Sequence, residues 1–308
     1  MLLVTGVYHA GSLAVQERVG VRGLADHVGR SIGSGIKAVA AAFLEQQPLL
    51  VAGAADPGTG RVWASALTGA PGFARATGPH RVSVAGGPAR AANGGGPPSA
   101  DPLATALATP GTEVGTIALD PRTRRRMRLN GVAEPTERGF AVTARQVFAN
   151  CPKYLQKRES YEVVADRAPG ERRRGASLTD AQAAFLAAAD TAFVATVRPG
   201  GADASHRGGL PGFLRVDSPY ELSWRDYPGN AMFLTLGNLA ADPRAGLLVL
   251  DWQTGTTLQL TGEARTEFTP DGERTVRFTI AEAVETPGAL PLRWSAPQYS
   301  PANPLPAR

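Results

Sequence analysis

The chain has 308 residues, 43% hydrophobic and 19% charged, with a net charge of +5. These proportions exclude global disorder, and the length suits about two domains, each able to bury its own core. No run approaches the roughly 18 apolar residues of a membrane span and the opening six residues are too few for a signal-peptide core; the single cysteine, Cys151, excludes an internal disulfide and a multi-thiolate metal site, so a cytoplasmic protein is expected.

The N-terminal residues carry Tyr8-His9 and then a helical stretch near Val21 to Ile32, with Leu24, Val28 and Ile32 at helical spacing. This part reads as an extension packed on the first domain. A helix is expected over Ala38–Gln47 and a buried strand over Leu49–Ala55, then a turn at Asp56-Pro57-Gly58-Thr59-Gly60 and a return strand to Leu67. Gly86–Ala100, with Gly94-Gly95-Gly96-Pro97-Pro98, has the composition of a mobile surface loop, and Asp101-Pro102-Leu103 opens a short helix. Two strands follow, Glu113–Leu119 and Arg124–Val132, and 140–148 reads as another strand or a strand-to-helix passage. Asn150–Arg158 is a compact polar motif and Glu159–Ala176 a charged linker. Thr179-Asp-Ala-Gln182 is a capping box that starts a helix. Strands at Phe193–Val197, Ala204–Gly208, Tyr220–Trp224, Ala245–Asp251 and Thr256–Thr261 then repeat the order of the first half. The proline-rich tail after Pro287 is expected to lie extended on the surface.

The repetition extends to individual residues. Gly115 falls on Gly246, Leu119 on Leu250, Asp120 on Asp251, Thr123 on Thr254, Leu129 on Leu260 and Gly131 on Gly262, all at an offset of 131. Upstream, Gly69-Ala-Pro71-Gly72-Phe73 matches Gly209-Leu-Pro211-Gly212-Phe213, with Ser65 on Ser205, and Ala42-Phe43-Leu44 matches Ala184-Phe185-Leu186. Matched blocks in one order, with spacing that drifts only between them, indicate a duplicated domain. Each unit reads as a helix followed by an antiparallel meander of about half a dozen strands, hence a small barrel.

The differences between the copies carry the candidate chemistry. Arg124, Arg126 and Arg128 share one face of a strand and Arg125, Met127 and Leu129 the other, where the second copy has Gly255, Thr257 and Gln259 against Thr256, Leu258 and Leu260. The basic face is either a solvated surface or an anion clamp, and Arg125, on the apolar side, is the less easily assigned to solvent. Arginine dominates the positive charge, with lysine only at Lys37, Lys153 and Lys157, which suits an anionic ligand but follows equally from a codon bias. Ser205-His206-Arg207-Gly208-Gly209 offers a hydroxyl, an imidazole, a guanidinium and unshielded N–H groups for a phosphate, whereas its counterpart keeps Ser65 but has Ala66 and Leu67. Asn230, Thr235 and Asn238 flank apolar Met232-Phe233-Leu234 and could meet the edge of a heteroaromatic ring, although Gly229-Asn230 and Gly237-Asn238 also read as turns. Cys151, beside Lys153 and Arg158, is either a lowered-pKa thiol or a packed residue. No Walker loop, dinucleotide fingerprint, zinc spacing or nucleophile elbow is present.

Tyr8-His9-Ala-Gly-Ser-Leu-Ala-Val-Gln16-Glu17-Arg18, Gly60-Arg-Val-Trp63-Ala-Ser65, Gly69-Ala-Pro-Gly-Phe73, Arg124-Arg-Arg-Met-Arg-Leu-Asn-Gly131 and Asn150-Cys-Pro-Lys-Tyr154 resemble the pyridoxamine 5'-phosphate oxidase-related FMN-binding split-barrel proteins, and among them a tandem subgroup sometimes fused to ferredoxin-reductase modules. Ser205-His-Arg-Gly-Gly-Leu-Pro-Gly-Phe213, Gly229-Asn230, Gly237-Asn238-Leu239 and Asp242-Pro243-Arg244 resemble the same superfamily, so the likeness spans about residues 5–285.

The resemblance implies a mainly β protein with a few helices: two tandem six-stranded antiparallel split β-barrels, with FMN at the interface between barrels. The expected organisation is an N-terminal extension (1–37), a first barrel (38–158), a linker (159–177), a second barrel (178–285) and a proline-rich tail (286–308). Ser205, Arg207 and Gly208 would hold the phosphate with Lys153, while Asn230, Thr235 and Asn238 would meet the ring or ribityl chain. Arg124 and Arg125 would reach in from the facing barrel or subunit, and His206 would donate to the flavin or act in catalysis. An FMN-dependent oxidoreductase follows, with a small-molecule substrate and an electron donor such as NAD(P)H or a reductase, and a homodimer is compatible with it. A non-catalytic flavin or haem carrier on the same fold is the alternative. A nucleic-acid partner is not expected, because no aromatics interleave with the arginines of 122–128. The longer basic and aromatic signature that pyridoxamine phosphate oxidases use for their substrate is absent, which argues against that substrate.

Overall fold

A computed structural model describes residues 6–86 and 101–304. The expected loop at Gly86–Ala100 lies, except for Gly86, outside the described residues. The first half contains α1 (Ala10–Arg18), α2 (Arg22–Gly29), α3 (Ala38–Glu45), β1 (Leu49–Ala55), β2 (Val62–Thr68), β3 (Ala74–Gly78), β4 (Arg81–Ala85), α4 (Ala104–Ala108), β5 (Thr112–Asp120), β6 (Arg125–Thr136) and β7 (Gly139–Ala149). The short strands β8 (Tyr161–Val163) and β9 (Arg173–Gly175) precede the second half. That half holds α5 (Asp180–Ala188), β10 (Thr191–Arg198), β11 (Gly201–Gly208), β12 (Arg215–Ser218), β13 (Glu221–Arg225), α6 (Leu234–Ala241), β14 (Arg244–Leu250), β15 (Thr257–Phe268), β16 (Arg274–Thr286) and β17 (Leu292–Trp294). No helix among the described residues is long and apolar enough to cross a membrane.

The protein is mainly β, with two antiparallel, barrel-like sheets of the same order. One runs β2-β1-β5-β6-β7-β4-β3 and the other β11-β10-β14-β15-β16-β13-β12, with β9 added on β16. Each path has seven strands rather than six, and neither is a simple meander, because the β3–β4 and β12–β13 hairpins pair at the far side with β7 and β16. The duplication holds in register. Ala52 pairs with Ser65 and Thr116, and Val194 with Ser205 and Leu247. Register breaks recur at Asn130/Gly131 and Thr261/Gly262, the same place in each copy.

β1 is apolar throughout because both of its faces are buried. Leu50, Ala52 and Ala54 face the first sheet's core, while Leu49 and Val51 face an apolar layer between the two halves. β10 repeats this with Ala192 and Val194 inward and Phe193, Ala195 and Val197 in the shared layer. A Cβ placed on Gly53 would lie 2.4 Å from the Cβ of Ala195, its own counterpart. Two equivalent residues can meet only on a symmetry axis, so an internal pseudo-two-fold passes here, as in an isologous dimer. Gly115 and Gly246 lie against the facing backbone on either side, Gly115 on Asp203-Ala204 and Gly246 on Val62-Trp63.

Three expectations about the chain's ends give way to tertiary packing. The N-terminal extension packs on both halves: α1 lies against α6, where Gly11 and Gly237 permit close approach, and Tyr8 and Ile32 cluster with Phe148, Met232 and Leu234. The linker is structured, since β8 pairs with β17 and β9 joins the second sheet. The first part of the tail, to Trp294, is not on the surface, whereas Gln298, Tyr299 and Pro301 are exposed. Leu290, Leu292 and Trp294 are buried in the layer between the halves, and Trp294 packs edge-on to Trp252 at 5.7 Å.

Gly115→Ala is expected to destabilise the protein by about 1–3 kcal/mol, because its new methyl would sit 2.4 Å from the Asp203 backbone. Gly23→Ala, in helix α2 with nothing within 4 Å, is expected to be neutral or to stabilise by up to about 1 kcal/mol. Urea unfolding of both variants checks the contrast.

Candidate functional site

The site lies where β6 of the first sheet faces β11 of the second. Alternation along β6 sends Met127 and Leu129 into the first core, so Arg126, Arg128 and Asn130 face the other half. Arg128 forms a two-pronged ion pair with Asp203, its Nε donating to Oδ1 at 3.1 Å and its Nη2 to Oδ2. Asn130 Nδ2 donates to the same carboxylate at 3.0 Å, and the Thr235 hydroxyl lies 3.0 Å from Ser205 Oγ. Burial alone would raise the Asp203 pKa. The Arg128 charge, with hydrogen bonds from Arg128 and Asn130, outweighs it and holds the carboxyl below its usual range.

Next to this pair, Arg126 Nη1 lies 2.7 Å from His206 Nδ1, and Nη2 donates to the Cys151 carbonyl at 2.6 Å. A guanidinium can only donate, so Nδ1 must be the unprotonated nitrogen and the proton sits on Nε2. Burial, then the charges of Arg126 and Arg207, push the His206 pKa well down, so the ring is neutral. Burial also pushes Arg126 down to about 9, aided by Arg128 and Arg207. Arg126 forms no ion pair with a carboxylate among the described residues. Arg207 donates to Ser205 Oγ at 3.1 Å and reaches Asp226 only at 3.8 Å. Arg126 Nε, Arg207 Nε and His206 Nε2 are all buried without a partner. They surround a cleft of about 110 Å³.

Of the residues expected at the site, Ser205, His206, Arg207, Gly208, Asn230, Thr235 and Lys153 line this cleft. Three do not. Arg124 has a left-handed backbone (φ +53°), where the second copy has Gly255 at +71°, and it donates to the carbonyls of Leu155 and Gln298. Arg125 turns outward over the Phe43 ring, 5.1 Å from its centroid. Asn238 binds Thr196 Oγ1 and lines a different cavity. Gly237-Asn238 is helical rather than a turn, because Gly237 is the crossing point of α6 on α1. Arg126 and Arg128, not Arg124 and Arg125, reach the cleft from the facing barrel. The signal was available in the alternation, since residues on the opposite face from Met127 and Leu129 must point at the other barrel. Asp203 gave no such signal. Ala231 and Phe233, in the cleft wall, also hold left-handed backbones, a conformation that costs of order 1–3 kcal/mol and clusters at binding sites.

Residues 178–303 match the family model described as pyridoxamine 5'-phosphate oxidase. The match takes in the second barrel and not the first. No curated protein matches the chain. Among solved structures, similarity is found to a candidate pyridoxamine 5'-phosphate oxidase from Lactobacillus delbrueckii (14% identity, 35% of this chain and 94% of that one, TM-score 0.31). It extends to FAD-binding proteins from Mesorhizobium loti (14%, 38% and 97%, 0.28) and Mycobacterium smegmatis (11%, 38% and 98%, 0.26). At these scores the likenesses carry no weight beside the strand order itself.

The pseudo-two-fold that relates this barrel to the first half implies an equivalent position on the other side, where Gln259 spans the gap. Gln259 stands where Arg128 stands and donates to the Ala64 carbonyl at 3.0 Å and to Ser65 Oγ at 2.8 Å. Ser65 in turn donates to Asp101 at 2.7 Å. Ala66 and Leu67 replace His206 and Arg207, and Thr257 replaces Arg126, so these strands bring no cation there, and the arginines that act on Asp101 are Arg172 and Arg174, from the segment between the barrels.

Asp203→Asn is expected to cost about 3–5 kcal/mol by breaking a buried pair. The folded-state pKa of Asp203 is depressed, so this contribution is full above the unfolded carboxylate value of about 3.9 and is lost as pH falls through the lower folded value. Urea unfolding across pH 2–7 should therefore show the two proteins converging only at the acidic end.

Proposed function

We propose that the cleft binds FMN and that the protein is an FMN-dependent oxidoreductase. The carrying observation is the half-buried Arg126 guanidinium, which has no carboxylate partner among the described residues and lines a cleft with Arg207 and His206, each of the three keeping a buried N–H without a partner. A charge so placed is costly unless an anion completes it. A phosphate fits, with Arg126 and Arg207 as walls and exposed Lys153 at the mouth. Asn230 and Asn150, whose Oδ1 is buried and unpaired, offer the mixed donor and acceptor edges that a heteroaromatic ring needs. Bound flavin would supply the hydride or electron transfer.

The chain's own residues then have limited roles. Arg126, Arg128 and Arg207 place positive charge along one wall and favour negative charge on whatever is bound. His206 holds one proton, at Nε2, and serves as a hydrogen-bond donor rather than a general acid, because Arg126 occupies Nδ1. Tyr154 and Tyr227, with centroids 5.1 Å apart, shape the rim. A small-molecule substrate and a donor such as NAD(P)H or a reductase would approach from that side. Both walls come from one polypeptide, so a homodimer is not needed to complete this cleft.

The purified protein is expected to show the visible absorption of oxidised flavin, or to quench FMN fluorescence on titration, with one FMN per chain because the strands at the equivalent position bring no cation. Arg126→Gln should weaken FMN binding about 10- to 100-fold, the loss of one charge-assisted hydrogen-bond donor. A colourless protein that leaves FMN fluorescence unchanged would overturn the proposal, and a Soret band would favour the haem-carrier alternative.

A further inference from the structure

We infer that a second cavity, roofed by the N-terminal segment, is a binding site for a small carboxylate that also carries a hydroxyl or amino N–H. The cavity has a volume of about 510 Å³ and lies behind the Arg128–Asp203 pair, on the side away from the first cleft. Its floor is the register break at Asn130-Gly131 together with Asp203, and its roof is Val7-Tyr8-His9. Glu113, Arg145 and Arg198 complete the wall toward solvent.

The polar groups left over define the ligand. Asn130 is 6% exposed, and the Asp203 carboxylate, which can only accept, compels its amide to turn its N–H groups that way. Its remaining N–H interaction is with Gln146 Oε1 at 3.2 Å, so Oδ1 is left buried with no donor. His9 supplies a second unmet polar atom. Burial, then the Arg198 charge, pushes its imidazole down to about 4, so the ring is neutral. Its Nε2 is buried and unpaired. The unmet Asn130 acceptor therefore calls for an O–H or N–H on the ligand, since a buried acceptor left unmade costs of order 1–3 kcal/mol, and a hydroxyl, which both donates and accepts, meets His9 Nε2 in either tautomer.

The solvent side calls for an anion. Arg198 is half-buried, makes its one hydrogen bond to the neighbouring Pro199 carbonyl at 2.8 Å, and has no ion pair among the described residues. Arg145 is exposed and shared with Glu113 at 2.6 Å. One guanidinium is thus free to take a carboxylate, with a second beside it. Tyr8 and His9 belong to the N-terminal motif and have no part in the first cleft. The inference is independent of what the first cleft binds.

The test is isothermal titration of the full chain, with and without added FMN, using L-malate and succinate, which differ by one hydroxyl. Malate is expected to bind in both cases, about 3- to 10-fold more tightly than succinate. Arg198→Gln should weaken both acids about 10-fold or more. His9→Phe should abolish the preference for malate while leaving succinate unchanged. Unaltered thermal midpoints would show that both variants fold. Absence of binding, equal affinity for the two acids, or binding that survives Arg198→Gln would each overturn the inference. So would binding lost in Arg207→Gln instead, which would put the acid in the first cleft.

Discussion

The ion pair of Arg128 with Asp203 sets the relation between the two barrels. Both groups are buried, and a pair of this kind adds little net stability against an apolar replacement. Its value is positional, because either charge left alone would be severely destabilising, so β6 cannot slip along β11 without breaking it. Strand periodicity transmits that constraint in both directions. Two residues toward the start of β6, Arg126 is delivered to His206; two residues toward its end, Asn130 is delivered to the Asp203 carboxylate. The same pair divides the space between the barrels, with the cationic cleft on the Arg126 side and the second cavity on the Asn130 side.

The cleft concentrates like charges. Burial and the charges of Arg128 and Arg207 lower the affinity of Arg126 for a proton, burial and Arg128 act in the same direction on Arg207, and only Arg128 has a close carboxylate partner among them. Such an arrangement opposes folding and is tolerated because the rest of the interface over-determines it: Phe193, Leu248 and Trp252 pack in the layer behind, and Arg158 forms a buried bridge to Asp190 at 2.7 Å. His206 is neutral for the same reason, since a second proton would place an imidazolium between two guanidiniums. The unpaired N–H groups are thus a consequence of geometry fixed elsewhere, which is what a preorganised anion site requires.

Much of this was legible in the sequence. The repeat gave the two units and the architectural roles of Gly115, Gly246, Asp120 and Asp251, because those residues answer to backbone geometry that both copies share, but it reads as a meander and hides the pairing of the β3–β4 and β12–β13 hairpins at the far side. The capping box at Thr179 and Gln182 forms as written. His206 and Arg207 stand out as divergent residues beside a serine that both halves keep. The side of β6 that meets the partner barrel follows from the alternation around Met127 and Leu129 and not from arginine content, which points to Arg124 and Arg125. The rest depends on contacts distant in sequence. Gly237 looks like a turn residue because the sequence does not show α1 crossing it. The tail looks solvent-exposed because its prolines mask the role of Leu290, Leu292 and Trp294 in filling the layer between barrels.

The asymmetry between the copies has a physical direction. Arg128 and Gln259 occupy the same position and reach across the same gap, yet they end differently. A guanidinium brings a charge that needs a carboxylate, and its planar fork holds that carboxylate at the barrel interface with capacity left on neighbouring groups for a further anion. An amide brings no charge, and in Gln259 both of its observed donations go to Ala64 and Ser65, groups of the facing strand itself. One substitution therefore keeps a polar interface open to a ligand while the other makes it self-sufficient. Replacing the charged reach by a neutral one removes the need for a counter-ion, and Ala66, Leu67 and Thr257 bring no cation that would call for one.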